Sequence, residues 1–283
     1  MNFLKGIIGN KGEVKIDRSL DGSHGSHWDA TVLDMNELEH VMTESAHPRY
    51  LTKLTKAEFA GIGEKVVLVA KYELKDPLYA YILRVETKEK HYELATGYPV
   101  IETAISYPCK ISTVYEWPIK IEAQTEGNVK DPPLSFFATD YFLKKKDYLA
   151  NKTHSLKLSG IAYAIERLKL EKNTLKDKDG KELNISRMKM IFPLNSFDRE
   201  HHWMIDDYTI RGEIKSMKKI QSKLVSGYIL KLDINPLEEV EIFASEKSIK
   251  GDLKTGDMVS AWIWLQGKLA EEEWDVLGEK DEK

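Results

Sequence analysis

The chain has 283 residues, 42% hydrophobic and 31% charged, with a formal charge of −4 and a sequence pI near 6.1. That is enough apolar material for a sizeable core. It lacks the basic excess expected of a protein whose affinity comes from neutralising phosphates. The single cysteine, Cys109, excludes an intramolecular disulfide and any zinc site built on several cysteines of one chain. This suits a reducing cytoplasm, where we expect the protein to reside.

The first sixty residues form the least regular part. "MNFLKGIIGNKGEVK" has only a short apolar patch and no secretory h-region. The Gly-, Ser- and Asp-rich stretch "DRSLDGSHGSHWDA" (Asp17–Ala30) reads as loop. Asp34, three residues before Glu37, marks a helix start, and Met35, Leu38, Val41 and Met42 follow at helical spacing. Thr55 and Glu58 suggest a weaker cap before a turn or short helix ending in "GIG".

From residue 61 to 195 the period changes to two, as in a first antiparallel β domain. "KVVLVAKYEL", "YAYILRVE", "HYELAT", "YPCKISTVYEWPIKIEAQ" and "LSFFATDYF" read as strands joined by polar turns. No apolar run approaches the ~20 residues that span a bilayer, so membrane insertion is not expected. "HSLKLSGIAYAIERLKL" fits a strand, although Ile161, Ile165 and Leu168 also fit a helix. Asp179-Gly180 marks a hairpin. As a calcium loop it fails, because Leu175 and Ser186 would fall at the first and twelfth ligand positions.

Residues 205 to 270 give a clearer order. "YTIRGEIKSMKKI", "GYILKLDI" and "VEIFAS" are three strands, and "LKTGDMVSAWIWLQGKL" supplies a turn and a long fourth. Residues 271 to 283 form an acidic tail. The segment from Tyr208 to Ala270 resembles an OB-like or similar small five-stranded Greek-key barrel. The likeness is one of pattern. It also looks like the architecture of many uncharacterised bacterial proteins, which implies no chemistry.

The chain repeats itself. "FFATD" (Phe136–Asp140) aligns with "IFASE" (Ile242–Glu246), and "LSGIAYAIERL" (Leu158–Leu168) with "VSAWIWLQGKL" (Val259–Leu269). An internal duplication and two unrelated hairpins with shared β chemistry both fit. In the second copy Val259, Ala261, Ile263 and Leu265 share one face of the strand, and Trp262 and Trp264 share the other. Both faces are apolar. The indole face then packs on the first copy or the N-terminal region, meets a partner, or forms a stacking platform for bases or sugars.

The charge balance of the barrel segment is mild, with ten Lys and Arg against eight Asp and Glu from Tyr208 to Leu269. Lys144, Lys145 and Lys146 form one local basic cluster, and Lys218 and Lys219 another. No nucleophile elbow, P-loop or dinucleotide fingerprint is present, and nothing calls for a cofactor. His24 and His27 near Asp29, and His201-His202 before Asp206-Asp207, are weak candidates for a His/Asp metal site. Cys109 reads as a buried, inert thiol.

These observations predict a mainly β protein with a few short helices. Two antiparallel β domains are expected, the second OB-like. The favoured role is a non-catalytic module that binds a protein partner, or a second copy of itself, through its barrel surfaces. The candidate binding residues are Trp262, Trp264, Tyr163, Lys144, Lys145, Lys146, Lys218 and Lys219. Single-stranded nucleic-acid binding is the first alternative, and a metal-dependent enzyme using His24, His27 and nearby acids the second.

Overall fold

A computed structural model describes residues 14–18, 23–45, 51–59, 63–87, 91–131, 133–169, 174–176, 182–184, 187–194 and 205–270. The N-terminal segment, the Asp179-Gly180 turn, His201, His202 and the acidic tail lie outside the described residues.

The chain is mainly β, as its alternation predicts. β1 (Lys15–Arg18) precedes two short helices, α1 (Gly25–Thr31) and α2 (Met35–Glu44). Asp34 caps α2, its Oδ1 accepting from the Asn36 amide at 2.8 Å. α1 occupies part of the expected loop. Its glycine and serine favour coil locally, but Trp28 is buried and donates its indole N–H to the Gly97 carbonyl at 2.8 Å. That tertiary anchor outweighs a weak local preference.

Four strands then form one antiparallel sheet: β2 (Leu51–Phe59), β3 (Gly63–Lys75), β4 (Leu78–Glu86) and β5 (Tyr92–Ile101). β2 stands where Thr55 and Glu58 suggested a helix start. It pairs with β3 from Leu51–Ala70 to Phe59–Gly63, and a full ladder prevails over a weak cap signal.

The second sheet has eleven strands among the described residues. Its first part comprises β6 (Ser106–Glu116), β7 (Ala123–Asn128), β8 (Leu134–Ala138), helix α3 (Tyr141–Tyr148) and β9 (Thr153–Arg167). The short pair β10 (Thr174–Lys176) and β11 (Glu182–Asn184) stands apart, as expected of a hairpin. β12 (Met190–Pro193), β13 (Asp207–Gln221), β14 (Ser226–Ile234), β15 (Glu238–Ser245), a 3₁₀ turn, β16 (Ile249–Lys250) and β17 (Met258–Leu269) follow. The ambiguous run "HSLKLSGIAYAIER" is strand β9.

The pairings close two five-membered rings. β6, β7 and β8 form a meander, β8 meets β17 in parallel, β17 pairs antiparallel with β9, and β9 returns to β6. β13, β14 and β15 form a second meander, β15 meets β9 in parallel, and β17 returns to β13. Each ring has the strand order of an OB-like barrel. β9 and β17 belong to both. The barrel read from Tyr208 to Ala270 therefore takes its fifth strand from β9, and the two repeated stretches lie side by side.

The sharing explains why these strands are apolar on both faces. Phe136, Ala162, Ile242, Ile263 and Leu265 belong to the core that fills the rings. Their neighbours Phe137, Ile161, Phe243 and Trp264 belong to a second core, with Trp28, Val41, Tyr81 and Tyr98. This outer core lies beneath α1, α2 and the four-stranded sheet. Gln266 ties the layers together, its Nε2 donating to the Pro99 carbonyl at 2.6 Å and its Oε1 accepting from the Ile101 amide at 3.3 Å.

The indoles do not share one environment. The alternation of β17 is kept, and the register shift opposite Trp262 and Ile263 leaves Tyr163 as the extra residue of β9. Trp262 is 41% exposed, whereas Trp264 is 1% exposed.

Candidate functional site

Trp264 forms part of the wall of a cavity of about 270 Å³, also lined by His24, His27, Gln124, Tyr163, Asp206 and Asp207. Ser23, Ser26, Trp117 and Phe137 complete it. The lining comes from four regions of sequence. α1 and its N-cap supply the histidines. The stretch from β6 to β8 supplies Trp117, Gln124 and Phe137, and β9 supplies Tyr163. The start of β13 and its partner β17 supply the aspartates and Trp264, with Asp207 opposite Trp264 in the ladder.

The imidazoles are fixed by their neighbours. His24 is buried, with Nε2 2.8 Å from Glu122 Oε1 and Nδ1 2.9 Å from His27 Nδ1. Glu122, only 2% exposed, also accepts from Thr96 Oγ1 at 2.9 Å. One of the two facing Nδ1 atoms must carry the hydrogen. His27 stacks on Trp264 with ring centroids 3.6 Å apart. Burial, and then the nearby His24, hold the His27 pKa well below its ordinary value, so this ring is neutral at neutral pH.

The carboxyl pair is the chemical centre. Asp206 is fully engaged: Oδ1 accepts from Gln124 Nε2 at 2.7 Å and Oδ2 from Trp264 Nε1 at 2.8 Å. Burial nonetheless pushes its pKa up to about 6. Burial and the neighbouring Asp206 push Asp207 to about 8. Tyr163 donates to Asp207 Oδ1 at 3.2 Å, and burial, followed by Asp207, raises its phenol well above the usual range. The two aspartates are best regarded as one titrating pair. Among the described lining residues there is no lysine or arginine.

The expected binding residues fall in separate places. Tyr163 and Trp264 line the cavity, and Trp262 lies outside it with its ring 4.8 Å from that of Tyr163. Lys144, Lys145 and Lys146 are on α3, where Lys145 forms an ion pair with Glu116. Lys218 and Lys219 are on β13 opposite Ile229 and Tyr228, with Lys219 2.9 Å from Glu246. His24 and His27 do meet acids, but these are Glu122, Asp206 and Asp207 rather than Asp29, whose carboxylate pairs with Lys247 at 3.1 Å. Among the described residues no group of three His, Cys, Asp or Glu is arranged to hold a metal ion.

Glu122 and Gln124 were not singled out by motif. Nothing in the sequence marks them: the strand they lead into reads AQTEGN and is largely polar, and only the fold shows that each is 2% exposed. Cys109 is fully buried, and burial pushes its thiol up to about 12, consistent with an inert residue.

No family model matches the chain, and no curated protein does. Among solved structures, the chain is similar to the cytoplasmic molybdate-binding protein ModG, in its PEG-grown form with molybdate bound. The match covers 59% of this chain and 97% of that one, at 12% identity and a TM-score of 0.29. A likeness of that degree carries no argument about the ligand here. No helix among the described residues is long and apolar enough to cross a membrane.

Proposed function

We propose that the chain is a small-ligand-binding protein and that its ligand occupies the cavity beneath α1. The observation that carries this reading is the convergence of His24, His27, Asp206 and Asp207 on one concave space walled by aromatic rings. Pockets of this kind, with a few convergent polar groups and shifted carboxyls, are the usual form of a small-molecule site. The fold also holds the groups firmly, because Asp206 and His24 have their positions fixed by buried partners.

The test uses the exposed Ser26, which lines the cavity from α1. Ser26→Trp places an indole at the mouth. A mixture of small polar metabolites is screened by ligand-observed NMR against the wild type and this variant. Compounds that bind the wild type and lose binding in Ser26→Trp are the expected result. A mixture with no binder, or binders indifferent to the substitution, overturns the reading.

One observation favours a second reading, acid–base catalysis on the bound molecule. With carboxyls at about 6 and about 8, the aspartate pair holds a single proton near neutral pH. Mass spectrometry of each bound compound tests this. Conversion that disappears in Asp207→Asn supports catalysis, and recovery of every compound unchanged rejects it.

A further inference from the structure

We propose that the ligand of this cavity is a small organic ammonium ion. The inference rests on the binding reading above and gives the ligand a chemical class.

The first argument is the sign of the charge. The described lining holds two carboxyl groups and no lysine or arginine. Behind it, Glu122 adds a third buried carboxyl, engaged by His24 and Thr96. An anion would enter without a cationic partner and beside groups of its own sign. A cation would provide the counter-charge that these buried acids lack.

The second argument counts free valences. Asp206 has both oxygens occupied by N–H donors. His24 has both ring nitrogens engaged. Asp207 differs: Oδ1 accepts from Tyr163, and no described residue occupies Oδ2. The residue is 7% exposed and lines the cavity. If His24 donates Nε2–H to Glu122 and accepts at Nδ1, His27 carries its hydrogen on Nδ1, leaving Nε2 as a second acceptor. The site thus offers an open carboxylate oxygen and a neutral imidazole.

The third argument separates an ammonium from a metal ion. A divalent metal needs several ligand atoms at once, and no such set is arranged among the described residues. An ammonium needs less: one carboxylate and aromatic faces around the remaining charge. The rings of Trp117, Phe137 and Tyr163 line these walls, while one face of Trp264 is taken by His27 and one of Trp117 by His24.

The proton inventory fixes the pH dependence. Asp207 faces Asp206 in the turn just before its strand, Tyr163 on β9, and a cavity whose α1 wall carries the neutral His27. A bound cation favours ionised Asp207, so binding near neutral pH releases a proton. A quaternary ammonium keeps its charge at every pH, and its affinity should rise between pH 6 and 9 as the Asp207 proton leaves.

Calorimetric titration at pH 7 and pH 9 tests the proposal. The probes are choline, ethylammonium, the neutral choline isostere 3,3-dimethylbutan-1-ol, and acetate. The expected result is that an ammonium probe binds about tenfold or more tightly than the alcohol, and more tightly at pH 9 than at pH 7. The isosteric Asp207→Asn should lose about tenfold or more of that affinity. A stronger response to choline indicates recognition by the ring faces, and a stronger response to ethylammonium indicates N–H donation to Asp207. Alcohol or acetate binding as well as the ammonium probes overturns the proposal, as does unchanged binding in Asp207→Asn. So does failure of both ammonium probes to bind. If neutral or anionic compounds bind the wild type and fail in Ser26→Trp, the cavity reading survives and only the ammonium assignment falls.

Discussion

His27 lies flat against Trp264, with ring centroids 3.6 Å apart and planes within 5°. The indole is held from its edge as well, because its N–H donates to Asp206 Oδ2. A loop-like N-terminal sequence and the last strand of the second ring are thus joined through one stacked pair and one buried carboxylate.

Trp264→Phe keeps an aromatic ring and removes the indole N–H. A buried carboxylate then loses one of its two donors. The expected cost at pH 7 is about 1.5–3 kcal/mol for that bond, beyond the loss of ring volume. At pH 4.5 Asp206, with its carboxyl at about 6, is protonated in the folded protein, and the cost of the missing donor shrinks. Urea unfolding at the two pH values measures the difference. An equal cost at both would show that Asp206 gains nothing from the indole.

The aspartate pair makes the folded protein less stable as pH rises. The folded pKa values of Asp206 and Asp207 lie above the ordinary carboxylate value of 3.8, at about 6 and about 8. The folded state therefore binds more protons than the unfolded state between about pH 4 and 8, so this contribution is lost across that window. Asp207→Asn cannot ionise. It should raise the melting temperature at pH 8.5, by an amount on the order of a few kcal/mol in stability, and leave it nearly unchanged at pH 4. A variant less stable than wild type at pH 8.5 contradicts the assignment.

Glu102 has the opposite sign. Burial pushes its carboxyl up, but Lys268 and Lys71 more than offset this and hold it at about 2. Lys268 Nζ lies 3.0 Å from Glu102 Oε1 and Lys71 Nζ 2.8 Å, so the residue links β17 to the four-stranded sheet. Its contribution is present above pH 4.5 and is lost as pH falls towards 2. Glu102→Gln should cost on the order of 1–2 kcal/mol at pH 7, allowing for partial solvent screening. The difference from wild type should narrow below pH 4.5 and close only as pH falls below about 2. Denaturant titrations at pH 7 and through this acid range decide it, and a pH-independent cost would rule out the ionic explanation.

His154 sits opposite Cys109 in the β6–β9 ladder, 2% exposed, with no hydrogen-bond partner for either ring nitrogen. Two buried polar atoms without partners are costly. His154→Leu removes both and should stabilise the protein by about 1–2 kcal/mol, read as a higher urea midpoint at unchanged slope. A lower midpoint would mean that the imidazole is satisfied in solution.

Much of the β architecture was legible in the sequence because a half-buried strand must alternate. The order β13, β14, β15 and β17 follows from the apolar positions of residues 208–269. The double apolar face of "VSAWIWLQ" correctly indicated a strand buried from two sides. The closure of both rings through β9 and β17 was not legible, since register between distant strands leaves no local mark. The helix α1 was hidden for a similar reason: its anchor, the Gly97 carbonyl, is remote from Trp28 in sequence. His24 and His27 stand out as residue types, whereas Asp206 and Asp207 stand in the sequence beside His201 and His202. Glu122 was not singled out at all. A pocket assembled from four regions has no spacing to read, and the polar positions from Glu122 to Asn128 read like those of any solvated strand.

The shared strands make the two rings mutually dependent. A chain divided between β12 and β13 would yield two pieces, each missing one wall of its own barrel and bearing unpaired strand edges. Each piece holds the strand that the other needs. Such halves are suited to complementation: expressed separately, they would recover the tryptophan-walled cavity only on meeting, and ligand capture could then report the proximity of whatever they were fused to.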